Sequence, residues 1–152
     1  MSVINQLQSW LLPTRPVVTV PVLSLPKGTD VWLTHHIYIQ LNDYCCGVAA
    51  AATVVETLTG EVDVPTLVNH IGPTERWGAS DTKLAKGLRQ FGLRAGPQAH
   101  VTDFSWVCEA LQQSRIPLFT VRTADTNTRH WVAAIGFNHA NRELLVADSC
   151  RP

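Results

Sequence analysis

Hydrophobic and polar positions divide the chain into a proline-broken N-terminal stretch and a longer part with helix and strand periods. Residues 1–30 carry four prolines, at positions 13, 16, 21 and 26, among valine- and leucine-rich pieces. Because proline lacks a backbone donor and fixes φ, this stretch is predicted to be an extended arm. The arm is expected either to pack across the core of its own domain or to dock on a protein partner. The apolar spacing at the very start predicts a short helix carrying Ile4, Leu7, Trp10, Leu11 and Leu12.

Residues 31–152 are predicted to form one domain. Residues 31–40 are rich in β-branched and aromatic side chains, which predicts a strand. Residues 47–58 are apolar on nearly every side, which is typical of a buried central helix, and Gly60 is expected to end it. Three shorter helices are predicted: one after Pro65 that stops at Gly72, one capped by Ser80 or Asp81, and one capped by Thr102 or Asp103.

Strand patterns dominate the end of the chain. A short strand is predicted at residues 93–95, and three more at 116–122, 131–137 and 143–147. Because helices come first and most strands come last, the pattern indicates an α+β domain rather than alternating βα units.

Composition excludes several classes of function. Hydrophobic residues make up 45% of the chain, and 12 Lys+Arg balance 12 Asp+Glu. Zero net charge argues against a nucleic-acid partner, which needs a basic face. No stretch approaches the roughly 18 apolar residues of a membrane span, so no membrane partner is expected. The N-terminus lacks the basic start of a signal peptide, which favours a cytoplasmic location, although export without a cleavable signal is compatible with it.

The cysteines are expected to be reduced thiols, since no signal for an oxidising compartment is present. No metal and no cofactor are expected. Cys45 and Cys46 are adjacent, whereas zinc ligands are usually separated by two to four residues. His35 and His36 would point to opposite faces of a strand, so they do not form a ligand pair with each other.

Cys45 and Cys46 lie at the predicted start of the buried helix. The positive end of a helix dipole lowers the pKa of a thiol there and supplies thiolate, the reactive nucleophile. Backbone N–H groups at the same terminus can bind an oxyanion. Gln40, six residues before Cys46, can supply a second oxyanion donor through its side-chain amide.

His130 begins an apolar strand and Asp148 ends the next one. With the turn placed at residues 138–141, opposed residues have numbers that sum to about 279, give or take one. His130 then faces residues 148–150, and Asp148 lies within reach to fix the tautomer of the imidazole. A histidine held in this way can take a proton from a thiol and later give it to a leaving amine.

The order of Gln40, Cys46-Gly47, His130-Trp131 and a strand ending in Asp148 resembles papain-like cysteine peptidases. It is most similar to the bacteriocin-processing, double-glycine-leader peptidase family and its stand-alone relatives. The resemblance covers about residues 36–149 and leaves the arm outside. It implies a papain-like α+β fold, with the cysteine-bearing helix packed on a C-terminal antiparallel sheet. The family often has proline after the acid, where this chain has Ser149-Cys150.

The resemblance also implies roles for individual residues. Cys46 would be the nucleophile, because Gly47 follows it as in the family motif. Cys45 would be a structural or regulatory neighbour of the nucleophile. His130 would be the general acid and base, Asp148 its orienting carboxylate and Gln40 an oxyanion donor.

The implied reaction is thiolate attack on a peptide or isopeptide bond, a thioester intermediate and then hydrolysis. The same triad permits acyl transfer to an amine or deamidation, and a catalytically silent binding module is the non-enzymatic alternative. The expected partner is a peptide or protein substrate. Trp77, Gly78 and Trp131 are expected to line its cleft.

Overall fold

The computed structural model describes residues 12–13, 30–33, 36–40, 42–96, 104–122 and 128–150. The helices within these ranges are α1 (Cys46–Thr59), α2 (Val64–Ile71), α3 (Asp81–Gln90) and α4 (Phe104–Gln112). The strands are β1 (Leu12–Pro13), β2 (Val31–Trp32), β3 (Tyr38–Ile39), β4 (Leu118–Arg122), β5 (Arg129–Asn138) and β6 (Glu143–Asp148). Helices pack on an antiparallel sheet, so the predicted α+β class is confirmed. Among the described helices, none has the length and apolar character that crossing a bilayer requires.

The long strand β5 is the centre of the main sheet. β6 runs antiparallel along one side of it, from Asn138↔Glu143 to Val132↔Asp148. Both β4 and β2 pair with the other side of β5. β4 pairs with its first half, as at Leu118↔Ala133, and β2 pairs near its end, as at Val31↔Phe137. β1 and β3 form a separate two-stranded antiparallel sheet.

The helix α1 is the buried centre of the core, as its apolar sequence predicted. Residues 46–55 of this helix are all buried, and the four alanines at positions 49–52 let neighbouring elements approach closely. α1 packs with α2 and α3 on the face of the sheet that carries Ala133 and Ile135. α4 packs on the opposite face, against Ala134 and Phe137. Gly60 ends α1 in the left-handed region, with φ +86°.

The predicted stop of α2 at Gly72 and the predicted cap of α3 are confirmed, and α2 begins at Val64, directly before the expected Pro65. Asp63 accepts a hydrogen bond from the backbone N–H of Thr66 at the start of α2, and Gly72 ends that helix. Ser80, one of the two predicted cap residues, accepts from the backbone N–H of Lys83 at the start of α3.

Two strand predictions were wrong. Residues 31–40 form two short strands in different sheets, because the chain leaves β5 after the backbone N–H of Leu33 donates to Ile135 (2.8 Å). It then turns towards α1, where the backbone N–H of Tyr38 approaches Thr53 Oγ1 (3.4 Å). Residues 93–95 form no strand, since their polar groups bind α3: Leu93 N–H donates to the Leu88 carbonyl, and Arg89 donates to the Ala95 carbonyl.

Three predictions concern residues that are largely outside the described ranges. Leu12, assigned to the predicted first helix, lies in the strand β1 instead, and the rest of that helix is not described. Leu12–Pro13 is extended, in keeping with an extended arm, but the remainder of the arm before Asp30 and its two expected roles lie outside the described residues. The predicted caps of α4, Thr102 and Asp103, also lie outside them; the helix is present.

Candidate active site

A tight turn presents the start of α1. Asn42 accepts the backbone N–H of Tyr44 on its side-chain oxygen (3.3 Å), and its carbonyl accepts the N–H of Cys45 (3.4 Å). Cys45 is the N-cap, and the Ala49 N–H donates to its carbonyl (3.0 Å) as the first helical hydrogen bond. Cys46 is therefore the first helical residue, where backbone N–H groups lack helical acceptors and the positive end of the dipole lies.

The β5–β6 hairpin brings His130 and Asp148 together, with a register that lies within the predicted range at this end and departs from it next to the turn. The turn lies one residue later than expected, so paired numbers sum to 281 next to it, as for Asn138↔Glu143. A bulge at Ile135 then lowers the sum to 280, as for Val132↔Asp148. Asp148 is thus diagonal to His130, and its Oδ1 lies 2.7 Å from His130 Nε2.

The imidazole of His130 links the thiol of Cys46 to the carboxylate of Asp148. Asp148 Oδ1 holds Nε2 at 2.7 Å, and the interaction of His130 with the Cys46 thiol lowers the pKa of that thiol and raises that of the imidazole. His130 is only 6% exposed, so its ring is held within the core beside the start of α1. The arrangement fixes the ring and its tautomer in the way that a thiol–imidazole pair requires.

Burial opposes the ionised form of Cys46, but its neighbours outweigh burial. The hydrogen bond from His130, the backbone N–H groups of Trp131 and Gly47 and the charge of His130 bring the pKa of the Cys46 thiol below its ordinary value. The hydrogen bond with Cys46 raises the pKa of His130 against the effect of burial, and Asp148 raises it further. These opposite shifts favour a thiolate–imidazolium pair.

Two other buried cysteines show that burial alone does not lower the pKa of a thiol. Burial raises the pKa of the Cys45 thiol, although a hydrogen bond with Asn42 opposes it. Cys108 Sγ lies 2.8 Å from His139 Nε2, yet burial raises the pKa of this thiol and the acids Glu109 and Asp30 raise it further. A cysteine next to a histidine is therefore activated only where the surrounding groups favour negative charge on sulfur.

Gln40 is held on the chain segment that follows Asp148. Its backbone N–H donates to the Ser149 carbonyl (2.9 Å), and its side-chain Oε1 accepts from the Ser149 hydroxyl (2.9 Å). Ser149 is only 2% exposed. Because the amide oxygen is engaged by Ser149, the side-chain NH₂ is the group that Gln40 can present as a donor.

Trp131 packs against the start of the cysteine-bearing helix. Its indole N–H donates to the Ala79 carbonyl (2.9 Å), which ties β5 to the chain before α3. A Cβ added to Gly47 would lie 3.0 Å from Ala79 Cβ and 3.1 Å from Trp131 Cδ1, so glycine lets these side chains pack closely against the helix start. Trp131 also lines one side of a groove of about 1070 Å³ between α3, α4 and β4.

Trp77 and Gly78 belong to a tight turn beside the same helix start. Backbone hydrogen bonds join Thr74 and Gly78 in both directions (3.0 and 2.7 Å), and Gly78 has φ +60°. A Cβ on Gly78 would lie 3.4 Å from the Tyr44 carbonyl, so the turn lies close to the Cys46 turn. Trp77 is 76% exposed, with the Arg76 guanidinium 4.8 Å from its ring centroid.

Sequence reasoning missed the parts played by Ser149 and Cys150. Cys150 Sγ lies 3.5 Å from Nε2 and 3.8 Å from Nδ1 of His130, and its backbone N–H donates to Asp148 Oδ1 (2.8 Å). The signal was in the register, which placed residues 148–150 opposite His130. Among the described residues, His130, Asp148 and Cys150 are the group whose ligand atoms could converge on a metal ion.

The fold and the Cys–His–Asp arrangement define the class: a papain-like cysteine peptidase fold. The chain belongs to the Peptidase_C39 like family, whose model matches residues 32–152. The predicted resemblance to the bacteriocin-processing peptidases is thereby confirmed at the level of the family. No curated protein and no solved structure shows a significant match to the chain.

Proposed function

We propose that this protein is a cysteine peptidase that cleaves a peptide or isopeptide bond through Cys46, His130 and Asp148. The observation that carries the proposal is the position of His130: its Nε2 lies 2.7 Å from Asp148 Oδ1, and its interaction with the Cys46 thiol lowers the pKa of that thiol. Family membership supports cysteine peptidase activity in general. The lowered pKa of Cys46, against the raised pKa of Cys45, supports Cys46 as the nucleophile.

In the proposed reaction the Cys46 thiolate attacks the carbonyl carbon of the scissile bond. The negative charge that develops on the carbonyl oxygen is stabilised by backbone N–H groups at the start of α1 and by the side-chain NH₂ of Gln40. The imidazolium of His130 gives its proton to the leaving amine, and a thioester with Cys46 remains. His130 then takes a proton from water, which attacks the thioester and releases the acid and the thiol.

The proposed substrate is a peptide segment of a protein. Support comes from the groove of about 1070 Å³, which is lined by apolar and charged side chains of α3, α4, β4 and the segments next to them. The groove reaches Trp131, directly after His130, although Cys46, His130 and Asp148 do not line it. The exposed indole of Trp77, on the turn beside Tyr44, is proposed as a contact on the other side of Cys46.

The test is the pH dependence of alkylation by iodoacetamide, with each cysteine located by mass spectrometry. Cys46 is expected to react well below pH 8.5, the ordinary pKa of a free thiol, and His130→Ala is expected to abolish this reactivity. Cys108 is the internal control, since it also has a histidine neighbour but a raised pKa. His139→Ala, which alters that control pair, should leave the Cys46 profile unchanged.

Hydrolysis is tested on a peptide library with the wild type and Cys46→Ala. Loss of cleavage in Cys46→Ala is expected, and full turnover in that variant would exclude the proposed nucleophile. An added amine distinguishes transfer from hydrolysis, because an amide product in place of the acid would identify an acyltransferase.

A further inference from the structure

Cys150 occupies an unusual position for an exposed cysteine. Its Sγ lies beside the ring of His130, and its backbone N–H donates to the same oxygen of Asp148 that holds His130 Nε2. The ligand atoms of these three residues lie within 4.8 Å of one another. His130 and Asp148 take part in the proposed peptidase reaction, whereas the Cys150 thiol does not.

An imidazole nitrogen, a thiolate and a carboxylate oxygen are ligands that Zn²⁺ prefers in proteins. With Zn–N near 2.0–2.1 Å and Zn–S near 2.3 Å, a tetrahedral site separates nitrogen and sulfur by about 3.5 Å. The separation of His130 Nε2 and Cys150 Sγ is 3.5 Å. Three protein ligands leave a fourth position open for water, as in many zinc sites.

Two adjustments would complete such a site, and both involve exposed side chains. The Nε2–Oδ1 distance of 2.7 Å is that of a hydrogen bond, so the Asp148 carboxylate must move outward by roughly 0.6 Å to become a ligand. Cys150 Sγ, nearly equidistant from both ring nitrogens, must rotate towards the Nε2 axis. The side chain of Asp148 is 49% exposed and Cys150 is exposed, so neither movement disturbs the core.

We propose that His130, Asp148 and Cys150 form a binding site for Zn²⁺. On binding, the proton of Nε2 and the proton of the Cys150 thiol leave to solvent, and nitrogen, sulfur and carboxylate oxygen each form a bond to the metal without any change of oxidation state. Nε2 then carries the metal, so His130 no longer donates to Asp148 and no longer acts as an acid and base towards Cys46. This inhibitory consequence rests on the proposed peptidase function, whereas the metal site itself does not.

Cobalt(II) replaces Zn²⁺ as the spectroscopic probe in the test. The full chain, kept reduced with a phosphine, is titrated with Co²⁺ while thiolate-to-cobalt charge-transfer absorption is recorded, and Zn²⁺ is then added in competition. One Co²⁺ per chain is expected. Cys150→Ser should lose the charge-transfer band and weaken binding by at least about tenfold, since loss of even an outer-shell partner costs roughly 10–100-fold.

Two further variants separate this site from other thiol sites. Cys46→Ala should keep both the band and the affinity, because Cys46 is outside the cluster of His130, Asp148 and Cys150 and is not a proposed ligand. Cys45→Ser, a matched change of a buried thiol outside the cluster, should also bind as the wild type does. A band that survives in Cys150→Ser and disappears in Cys46→Ala would overturn the proposal, as would the absence of a thiolate–cobalt band in the wild type.

The inhibitory consequence is measured separately, as the rate of Cys46 alkylation with and without Zn²⁺. Zn²⁺ is expected to slow the alkylation of Cys46 in the wild type and to slow it much less in Cys150→Ser. Each rate is compared with the rate of the same protein without metal. Zn²⁺ bound through Cys150 with unchanged Cys46 reactivity would overturn the inhibition but support the site. If the protein cleaves no peptide, the cobalt titration still decides the metal site, so the two proposals fail independently.

Discussion

At the scale of single residues, the site depends on polar side chains that each make more than one hydrogen bond. Asp148 Oδ1 accepts from His130 Nε2 (2.7 Å) and from the backbone N–H of Cys150 (2.8 Å). Burial would raise the pKa of this carboxyl, but these donors and the charge of His130 bring it below its ordinary value. Asp148 is therefore ionised whenever His130 titrates, and it acts as a fixed negative charge.

Asp148→Asn should narrow the pH range in which Cys46 is reactive. The hydrogen bond and charge of Asp148 contribute to the raised pKa of His130, so their loss lowers that pKa and His130 loses its proton at lower pH. Cys46 then loses part of the positive charge that lowers its own pKa, so its thiolate forms only at higher pH. The measurement is the rate of Cys46 alkylation against pH, and peptidase activity at neutral pH should fall by about 10²–10⁴-fold.

Asp43→Asn is the matched control, because this exposed carboxylate lies in the turn just before Cys46 without contacting His130. The rate of Cys46 alkylation against pH should be the same in Asp43→Asn as in the wild type. If both variants shifted the Cys46 profile equally, general electrostatics rather than the Asp148–His130 hydrogen bond would account for the effect.

Ser149 is expected to act through Gln40. Ser149→Ala removes the hydroxyl that donates to Gln40 Oε1, so the amide is no longer held with its NH₂ available as a donor. Removing an oxyanion donor usually costs about 10²–10³ in kcat, and loosening one should cost less, roughly tenfold. kcat is expected to fall with little change in KM, because the amide is proposed to act on charge that develops only in the transition state.

A double-mutant cycle distinguishes this role from a purely structural one. If Ser149 acts by positioning Gln40, adding Ser149→Ala to Gln40→Ala should change kcat little further. Additive losses in the cycle would mean that Ser149 affects the reaction by another route.

At the scale of elements, close packing of helices sets the position of the site. α2 and α3 meet at Gly87, where an added Cβ would lie 2.5 Å from Ile71 Cγ1. α3 in turn packs on α1. The N-cap of α3 is Ser80, and the residue before it, Ala79, accepts the hydrogen bond from the Trp131 indole. The packing of these helices thus determines where the loop before α3 meets the start of α1.

Gly87→Ala should destabilise the protein although alanine is the better helix former. The gain in helix propensity is about 0.8–1.0 kcal/mol, whereas overpacking in a tight core typically costs about 1–3 kcal/mol. A net loss of up to about 2 kcal/mol is expected from urea unfolding of the two proteins. Lys86→Ala, at an exposed position of the same helix, should stay within about 0.5 kcal/mol of the wild type.

The elements that the sequence predicted well are those with strong local signals. The buried helix, the helix stop at Gly72, Ser80 as a cap and the two strands of the hairpin follow from composition and capping chemistry. Residues 31–40 were predicted less well, because their β-branched side chains do not say which strand each half will pair with. Beyond Ile135 the paired numbers sum to 280, within the predicted range of 279 give or take one, whereas beside the turn their sum of 281 lies one above it. Neither the extra turn residue nor the bulge has a sequence signal of its own.

At the scale of the whole molecule, the site assembles from three segments that are distant in sequence. They are the Gln40–Gly47 segment, the turn at residues 74–79 and the hairpin that carries His130 and Asp148. The order of Gln40, Cys46, His130 and Asp148 was readable from the sequence through a family resemblance. The hydrogen bonds that join the segments, Ser149 to Gln40 and Trp131 to Ala79, were not readable because they depend on tertiary packing.

Trp131→Phe tests whether the link between hairpin and helix start matters for the reactive thiol. Phenylalanine keeps an aromatic ring beside Gly47 but cannot donate to the Ala79 carbonyl. The lost hydrogen bond should lower the free energy of unfolding by about 1 kcal/mol. Because the backbone of Trp131 also donates to Cys46, a small displacement of β5 should lower the neutral-pH alkylation rate of Cys46 by roughly tenfold or more.

Trp106→Phe is the matched control, since this partly buried indole on α4 belongs to the core on the opposite face of the sheet. That variant should alkylate Cys46 as fast as the wild type does. A Trp131→Phe protein that is less stable but has an unchanged Cys46 rate would show that the link supports the fold alone, and that the reactive pair is held by β5 and α1 without it.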